Sequence, residues 1–549
     1  MRKTLALFIF ILSYTAFVSG QNWQVYPYSP PNTVLSFPAD DGKHTSASTT
    51  TEWWYTNLHV IGSAPDYKVY DVMLAYFNKP ANMRIYNMAM PASGVFHTNV
   101  INIQAPSALS AKTGHWEFTY TVPSLAVHDT SKWTFPTDGI PYRYSFHTEN
   151  PTDKDGLDVT LTSNRPPLNV GGDGFIPIGE SGDSSFYYSY TYLKVEGTIK
   201  FGGTTDIITS GIAWIDRQWG PFTVGYNPNN LYEWFSMQLD KPGIKWGSPN
   251  TPSEFNIWQI FSGPNHIPEK PSSKLLSAIY ADQSQDTTSG FIYERTSYWF
   301  DQANNNYYSS GWRLINPFHN VTLDMTPTIP NQVVNMILFK FWEGATTVKG
   351  VVENKEVEGI GFAELVAKHA YEIKTPSVPA GLIFSGFTDH NTIAWNASTQ
   401  GTFPVGGYRV FRSKFNNGHW KYLATTTQLN YDDYTATRDS AFYYTVTSFD
   451  NQTATSASAY ATSVHLGIKD ATANSIQVYP NPAKNKITID CSGKQNLHMA
   501  IYNTAGQLLL KTKLNKGINE IDVHALSKGE YNIKLTGASS SMQQKLIIE

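Results

Sequence analysis

One carboxylate set inside an otherwise apolar run offers this 549-residue chain its clearest opportunity for chemistry. The run is Gly211-Ile212-Ala213-Trp214-Ile215-Asp216-Arg217-Gln218-Trp219-Gly220, whose β-branched and aromatic content is that of a strand. Side chains alternate along a strand, so Trp214, Asp216 and Gln218 share one face while Ala213, Ile215 and Arg217 share the other. Facing an apolar cavity, Asp216 would hold its proton toward neutral pH and act as an acid. Placed near a strand end before Arg217, it reads equally as a turn or ion-pair residue. A second carboxylate lies in Thr51-Glu52-Trp53-Trp54-Tyr55, where alternation groups Glu52 with Trp54 and Trp53 with Tyr55. Apolar surroundings would raise the Glu52 pKa; the competing reading has Glu52 bonded to backbone or to an arginine.

The elements that must hold these residues are strands. Short β-branched and aromatic runs alternate with clusters of Gly, Pro, Asn, Asp and Ser, as in Val69 to Tyr76, Trp116 to Tyr120, Tyr142 to His147 and Leu157 to Leu161. The pattern is all-β, and a helical period is suggested only over Ala363 to Tyr371. About 350 residues exceed one sandwich or small barrel, so two β units are expected, residues 21–200 and 201–373, each closed enough to hide its edges. Thirteen of the fifteen tryptophans precede residue 376 and none follows 467, which sets off two further zones, 376–467 and 475–549. Proline-stiffened Lys374 to Pro379 and small-polar Gly467 to Asn474 connect them.

Met1-Arg2-Lys3, an apolar run from Leu5 to Val18, and Ser19-Gly20 have the three regions of a signal peptide, with cleavage expected after Gly20. No later stretch reaches the roughly 20 apolar residues of a membrane span, so the mature chain is expected without one, secreted or on the outer cell surface. A formal charge of −4 without basic runs leaves no footprint for nucleic acid. The single Cys491 can form no intrachain disulfide. His44, His59, His97, His115 and His147 are dispersed without metal-ligand spacing, and neither a G-x-S-x-G elbow nor a phosphate-binding loop is present. No metal and no cofactor are expected.

Three resemblances add to this reading. Residues 376–467, with Thr392 to Trp395, Gly407 to Ser413 and Tyr-rich Phe442 to Thr447, resemble a fibronectin type III sandwich, which implies a spacer or adhesive surface. Residues 475–549 carry Tyr479-Pro480-Asn481-Pro482, a turn at Ala505-Gly506 and Leu526-Ser527-Lys528-Gly529-Glu530-Tyr531. These resemble the C-terminal sorting domain of type IX secretion in the Bacteroidetes, implying recognition by that machinery after periplasmic export. Between residues 35 and 370, F-P-x-D-x-x-x-H (Phe37 to His44), E-W-W-Y (Glu52 to Tyr55), A-W-x-D-x-x-W-G (Ala213 to Gly220), W-F-S-x-Q-L (Trp234 to Leu239), W-E-G (Trp342 to Gly344) and G-x-G-F-x-E-L (Gly359 to Leu365) occur in order. Together they resemble the hydroxyneurosporene synthase (carotenoid 1,2-hydratase) and AttH-like family.

That resemblance implies a pair of lipocalin-like β-barrels and, in the hydratase branch, cofactor-free addition of water to a terminal C=C. An aromatic-x-Asp pair supplies the acid there, which falls on Trp214 and Asp216. A histidine and a tryptophan on a preceding strand assist there, but Tyr187 to Leu193 contains no histidine, leaving Tyr188 and Tyr190 as nearest substitutes. Glu52, Trp53, Trp54, Tyr55, Trp234 and Trp342 are the expected lining of a hydrophobic ligand site. The expected function is acid-base hydration or isomerisation of an isoprenoid or lipid-like molecule. The alternatives are a lipocalin-like carrier, with Asp216 held structurally by Arg217, and a surface adhesin.

Overall fold

A computed structural model describes Trp23 and residues 26–549, apart from 102–106, 135–141, 164, 179–181, 223–230, 244–252, 262–272, 337–338, 388, 437–440, 453–455, 457–459, 461–463, 468–476, 492–496, 505 and 537–540. The expected signal peptide lies outside the described residues. Runs of alternating apolar residues become antiparallel strands, and no α-helix occurs among the described residues. The suggested helix at Ala363 to Tyr371 is replaced by the end of the strand Lys355–Leu365 and an irregular segment. There Phe362 and Ala363 are buried in cores on opposite faces, which a strand allows and one amphipathic stripe does not.

Two curled half-barrel sheets dominate the larger of two compact units. The first, of fourteen strands, has the strand Ser210–Gly220 at its centre, hydrogen-bonded to Thr51–Ile61 on one side and Asp183–Phe201 on the other. This sheet does not stop near Lys200. Gly202 and Gly203, at φ of 56° and 88°, turn the chain tightly back into Thr204–Ile207, and Ser210–Gly220 then completes the sheet. The second sheet, of ten strands, runs in sequence from Leu231–Asp240 to Lys355–Leu365.

Strand alternation builds three cores from these two sheets. Trp54, Leu58, Val72, Leu74 and Ile215 face a core made by the first half of the chain alone, and Phe235, Met237, Trp312 and Trp342 face one made by the second sheet alone. Tyr55, Met73, Trp214, Trp234, Phe341 and Phe362 form a third core to which both sheets contribute. The strand Val405–Ser413 joins this unit through Arg409, whose Nε donates to Glu294 at 3.1 Å. Within 376–467 the residues divide between the two units: Asn396–Leu429 and Tyr444–Ser463 cluster with the first, Gly381–Trp395 and Asn430–Tyr443 with the second. In the second unit, Ile487, Ile489, Met499, Ile533 and Leu546 form the core of the C-terminal sheets.

Burying both faces of the Ser210–Gly220 strand leaves its charges no water, so each must find protein partners. Arg217 points into the first core. Its Nη2 donates to Glu52 Oε1 at 2.8 Å and to the Gly42 carbonyl at 2.5 Å, and its guanidinium lies 3.9 Å over the Trp54 ring. Close approach of Gly42 to the chain at Gly114 permits this, because a Cβ there would meet Gly114 N at 2.5 Å. Glu52 also accepts from Asn78 Nδ2 at 2.6 Å and contacts the His44 ring at 3.0 Å. Burial by itself pushes the Glu52 carboxyl up, but the Arg217 charge and the hydrogen bonds from His44 and Arg217 outweigh it and hold the pKa at about 2. Against an ordinary value of 4.5, that depression stabilises the fold by roughly 3 kcal/mol above about pH 4.5, and the contribution disappears as pH falls toward 2. Glu52→Gln is therefore expected to destabilise by about 3 kcal/mol at pH 7, because Arg217 loses its buried counter-charge. In urea unfolding followed by tryptophan fluorescence, wild type and variant should converge as pH drops below 4; a constant gap between pH 7 and 3 would refute the assignment.

Candidate active site

On the opposite face of the same strand, Asp216 is 5 % exposed and points into the core shared by the two sheets. The register places Ser189 across from it on one neighbouring strand and Tyr55 on the other. Its carboxylate accepts from Tyr187 Oη and Ser189 Oγ, both at 2.5 Å, and from Trp214 Nε1 at 2.6 Å. Burial raises its pKa to about 6, while these three hydrogen bonds favour the ionised form and limit the rise. Tyr187 in turn accepts at 2.8 Å from both Trp234 Nε1 and Asn256 Nδ2, which come from the second sheet.

Two more acids face the same core. Glu343 and Glu364 sit directly opposite each other on paired strands, so their side chains share a face. Tyr55 Oη donates to Glu343 Oε1 at 2.9 Å, and Tyr232 Oη donates to Glu364 Oε1 at 2.5 Å. Burial, then the Glu364 charge, pushes Glu343 well above the ordinary carboxylate range; burial also raises Glu364, to about 7. The Asp216 charge adds to the rise of both. Glu343 Oε2 has no hydrogen-bond partner among the described residues. Around the three acids the lining is aromatic: Tyr55 meets Trp234 edge-on at 5.3 Å, and Tyr232 stacks on Trp258 at 4.9 Å. Acids whose pKa values are pushed apart in one apolar site can divide the roles of proton donor and acceptor.

Of the residues singled out in the sequence, Asp216, Trp214, Trp234 and Tyr55 meet here, and half-buried Trp53 packs at the edge against Phe77 and Phe222. Tyr188 and Tyr190 do not. They occupy the other face of their strand and, with Tyr144, donate to buried Asp41 in the first core. It is Tyr187 and Ser189 that alternate onto the Asp216 side. Glu52 and Trp54 likewise face the first core, where Arg217 lowers rather than raises the Glu52 pKa. Trp342 faces the second sheet's own core and donates to the Pro330 carbonyl at 2.7 Å. Arg217, on the opposite face from Asp216, is not its partner.

Sequence reasoning missed Tyr187, Ser189, Tyr232, Asn256, Glu343 and Glu364. Both glutamates lie within the W-E-G and G-x-G-F-x-E-L motifs, but only their pairing makes them neighbours. His97, Asp153 and Asp155, dispersed in sequence, also converge, with potential ligand atoms within 4.8 Å. There His97 Nδ1 lies 2.8 Å from Asp155 and Asn150 donates to Asp153 at 2.7 Å, so the group is already satisfied internally.

The AttH-like family matches residues 28–368, and the secretion system C-terminal sorting domain matches residues 477–549. Kievitone hydratase of Fusarium solani subsp. phaseoli is 23 % identical over 336 residues, covering 60 % of this chain and 85 % of that protein. Among solved structures, a putative AttH of Nitrosomonas europaea is 20 % identical with a TM-score of 0.47, covering 63 % of this chain and 99 % of its own. Kievitone hydratase of Nectria haematococca is 16 % identical with a TM-score of 0.44, covering 62 % and 98 %. By the match across its two large sheets, this chain belongs to the AttH-like family, and it ends in a secretion system C-terminal sorting domain.

Proposed function

We propose that this chain is an exported hydratase-like enzyme that adds water to a carbon–carbon double bond of a hydrophobic, isoprenoid or lipid-like molecule, without a cofactor. The observation that carries the reading is the buried trio Asp216, Glu343 and Glu364 on one aromatic face, with pKa values raised to different extents. The similarity to a protein named kievitone hydratase supports the reaction class. The sorting domain supports delivery to the cell surface or outside by type IX secretion.

In this reading Glu343, protonated at neutral pH, donates from Oε2 to the alkene and leaves a carbocation. The faces of Trp214 and Trp234 stabilise that cation. Water attacks it, and the Asp216 carboxylate takes the released proton, so alkene plus water gives alcohol. Asp216 thus becomes the base rather than the acid its sequence context suggests, because three hydrogen bonds favour its ionised form. Proton return to Glu343 passes through the paired Glu364. Stopping after protonation and losing a neighbouring proton gives isomerisation by the same groups.

Wild type incubated with a panel of isoprenoid alkenes in H2¹⁸O should give labelled alcohol by mass spectrometry, and Asp216→Asn or Glu343→Gln should slow this about a hundred- to ten-thousand-fold. Equal rates in wild type and both variants would end the acid-base assignment. Ligand bound but unconverted by all three would favour the carrier reading instead.

The pH dependence has a definite sign. Asp216 acts as a base only when ionised, so kcat/KM should rise through about pH 6. It should fall again at higher pH, once Glu343, held well above the ordinary carboxylate range by burial and the Glu364 charge, loses its proton. Asp216→Asn should erase the rising limb of the residual activity; a profile unchanged by that substitution contradicts the assignment.

A further inference from the structure

Among the buried polar atoms near the acids with no hydrogen-bond partner among the described residues are three that share the core face: Asn57 Oδ1, Asn256 Oδ1 and Trp258 Nε1. Their residues are at most 3 % exposed. All three belong to the core face: Asn57 alternates with Tyr55, and Asn256 with Trp258. Neither amide is free to turn over. Tyr187 commits its single proton to Asp216, so its oxygen must accept, and Asn256 Nδ2 donates to it at 2.8 Å. Tyr55 commits its proton to Glu343, and Asn57 Nδ2 donates to Tyr55 Oη and Ser236 Oγ, each at 3.3 Å. Rotating either amide would bring two acceptors together and leave an N–H unmatched. The chain of hydrogen bonds that positions the acids therefore leaves two carbonyl acceptors and one ring N–H unmatched beside them.

Leaving such groups buried and unmet is costly, and a hydrocarbon ligand would keep them so. We infer that the ligand of this site is a hydroxylated alkene, whose hydroxyl groups donate to Asn57 Oδ1 and Asn256 Oδ1 and accept from Trp258 Nε1, and not a pure hydrocarbon polyene. This names the substrate class of the proposed water-adding site and rests on that reading for the alkene alone. A site that hydrogen-bonds a ligand hydroxyl discriminates strongly against the analogue lacking it, whereas one methylene more or less matters little.

Farnesol and α-farnesene make a matched pair of probes, an alcohol and a hydrocarbon of similar chain length. Titrated into the full-length protein with tryptophan fluorescence as readout, farnesol should bind at least about tenfold tighter. Trp258→Phe, which removes the ring N–H and keeps an aromatic face, and Asn57→Leu should each bring the two affinities within about threefold, chiefly by weakening the alcohol. Should Asn57→Leu fail to fold by thermal melting, Trp258→Phe alone decides. Equal affinities in wild type, or a tenfold preference that survives in the folded variants, overturn the inference. The two readings fail separately. A preference that depends on these residues without turnover of any alkene removes the catalytic reading and keeps the hydroxylated ligand. Turnover lost in Asp216→Asn with no alcohol preference does the reverse. Binding of neither probe overturns the hydroxylated-alkene assignment.

Discussion

Burial of both faces of the central strand Ser210–Gly220 is the constraint on which the rest of the larger unit depends. An edge strand, or one with a solvated face, can leave its charges to water. This one cannot, and consecutive residues Asp216 and Arg217 must each be satisfied on opposite sides. Arg217 is met by Glu52, backbone carbonyls and the Trp54 face; Asp216 by Tyr187, Ser189 and Trp214. Separation across the sheet keeps the two from neutralising one another. That is why Asp216 retains a raised pKa beside an arginine in sequence.

The two cores flanking that strand use acids differently. In the first, Asp41 accepts from three tyrosines, and each of its oxygens has a protein partner. Its pKa is also raised by burial to about 6, so a raised pKa alone does not distinguish a site. Between the sheets, by contrast, three acids gather on one aromatic face. What distinguishes the shared core is that Asp216, Glu343 and Glu364 face one another's surroundings there, so that the Asp216 charge adds to the rise of both glutamates.

Carrying the site between two sheets also explains its aromatic walls. Trp214 on one sheet and Trp234 on the other serve twice: each packs the interface, and each donates its ring N–H into the hydrogen-bond chain that includes Asp216. The acids are held by strands of both sheets, so neither sheet alone supplies the arrangement. The sorting domain has its own core and belongs to the second compact unit.

What was legible in the sequence was local. Alternation along one strand put Trp214 and Asp216 together and Arg217 opposite, β-branched and aromatic runs announced an all-β chain, and ordered motifs marked the family and the sorting domain. None of this depended on which strands pair. Opposing residues did: a strand's two faces are equivalent until a neighbour's register and a second layer give them different surroundings. Tyr187 rather than Tyr188 faces Asp216, and Glu52 meets an arginine rather than an apolar wall, because pairing chose the face. Glu343 and Glu364 join Asp216 from more than a hundred residues away because two sheets stack, and only that tertiary contact turns three separate strand residues into one buried acid cluster.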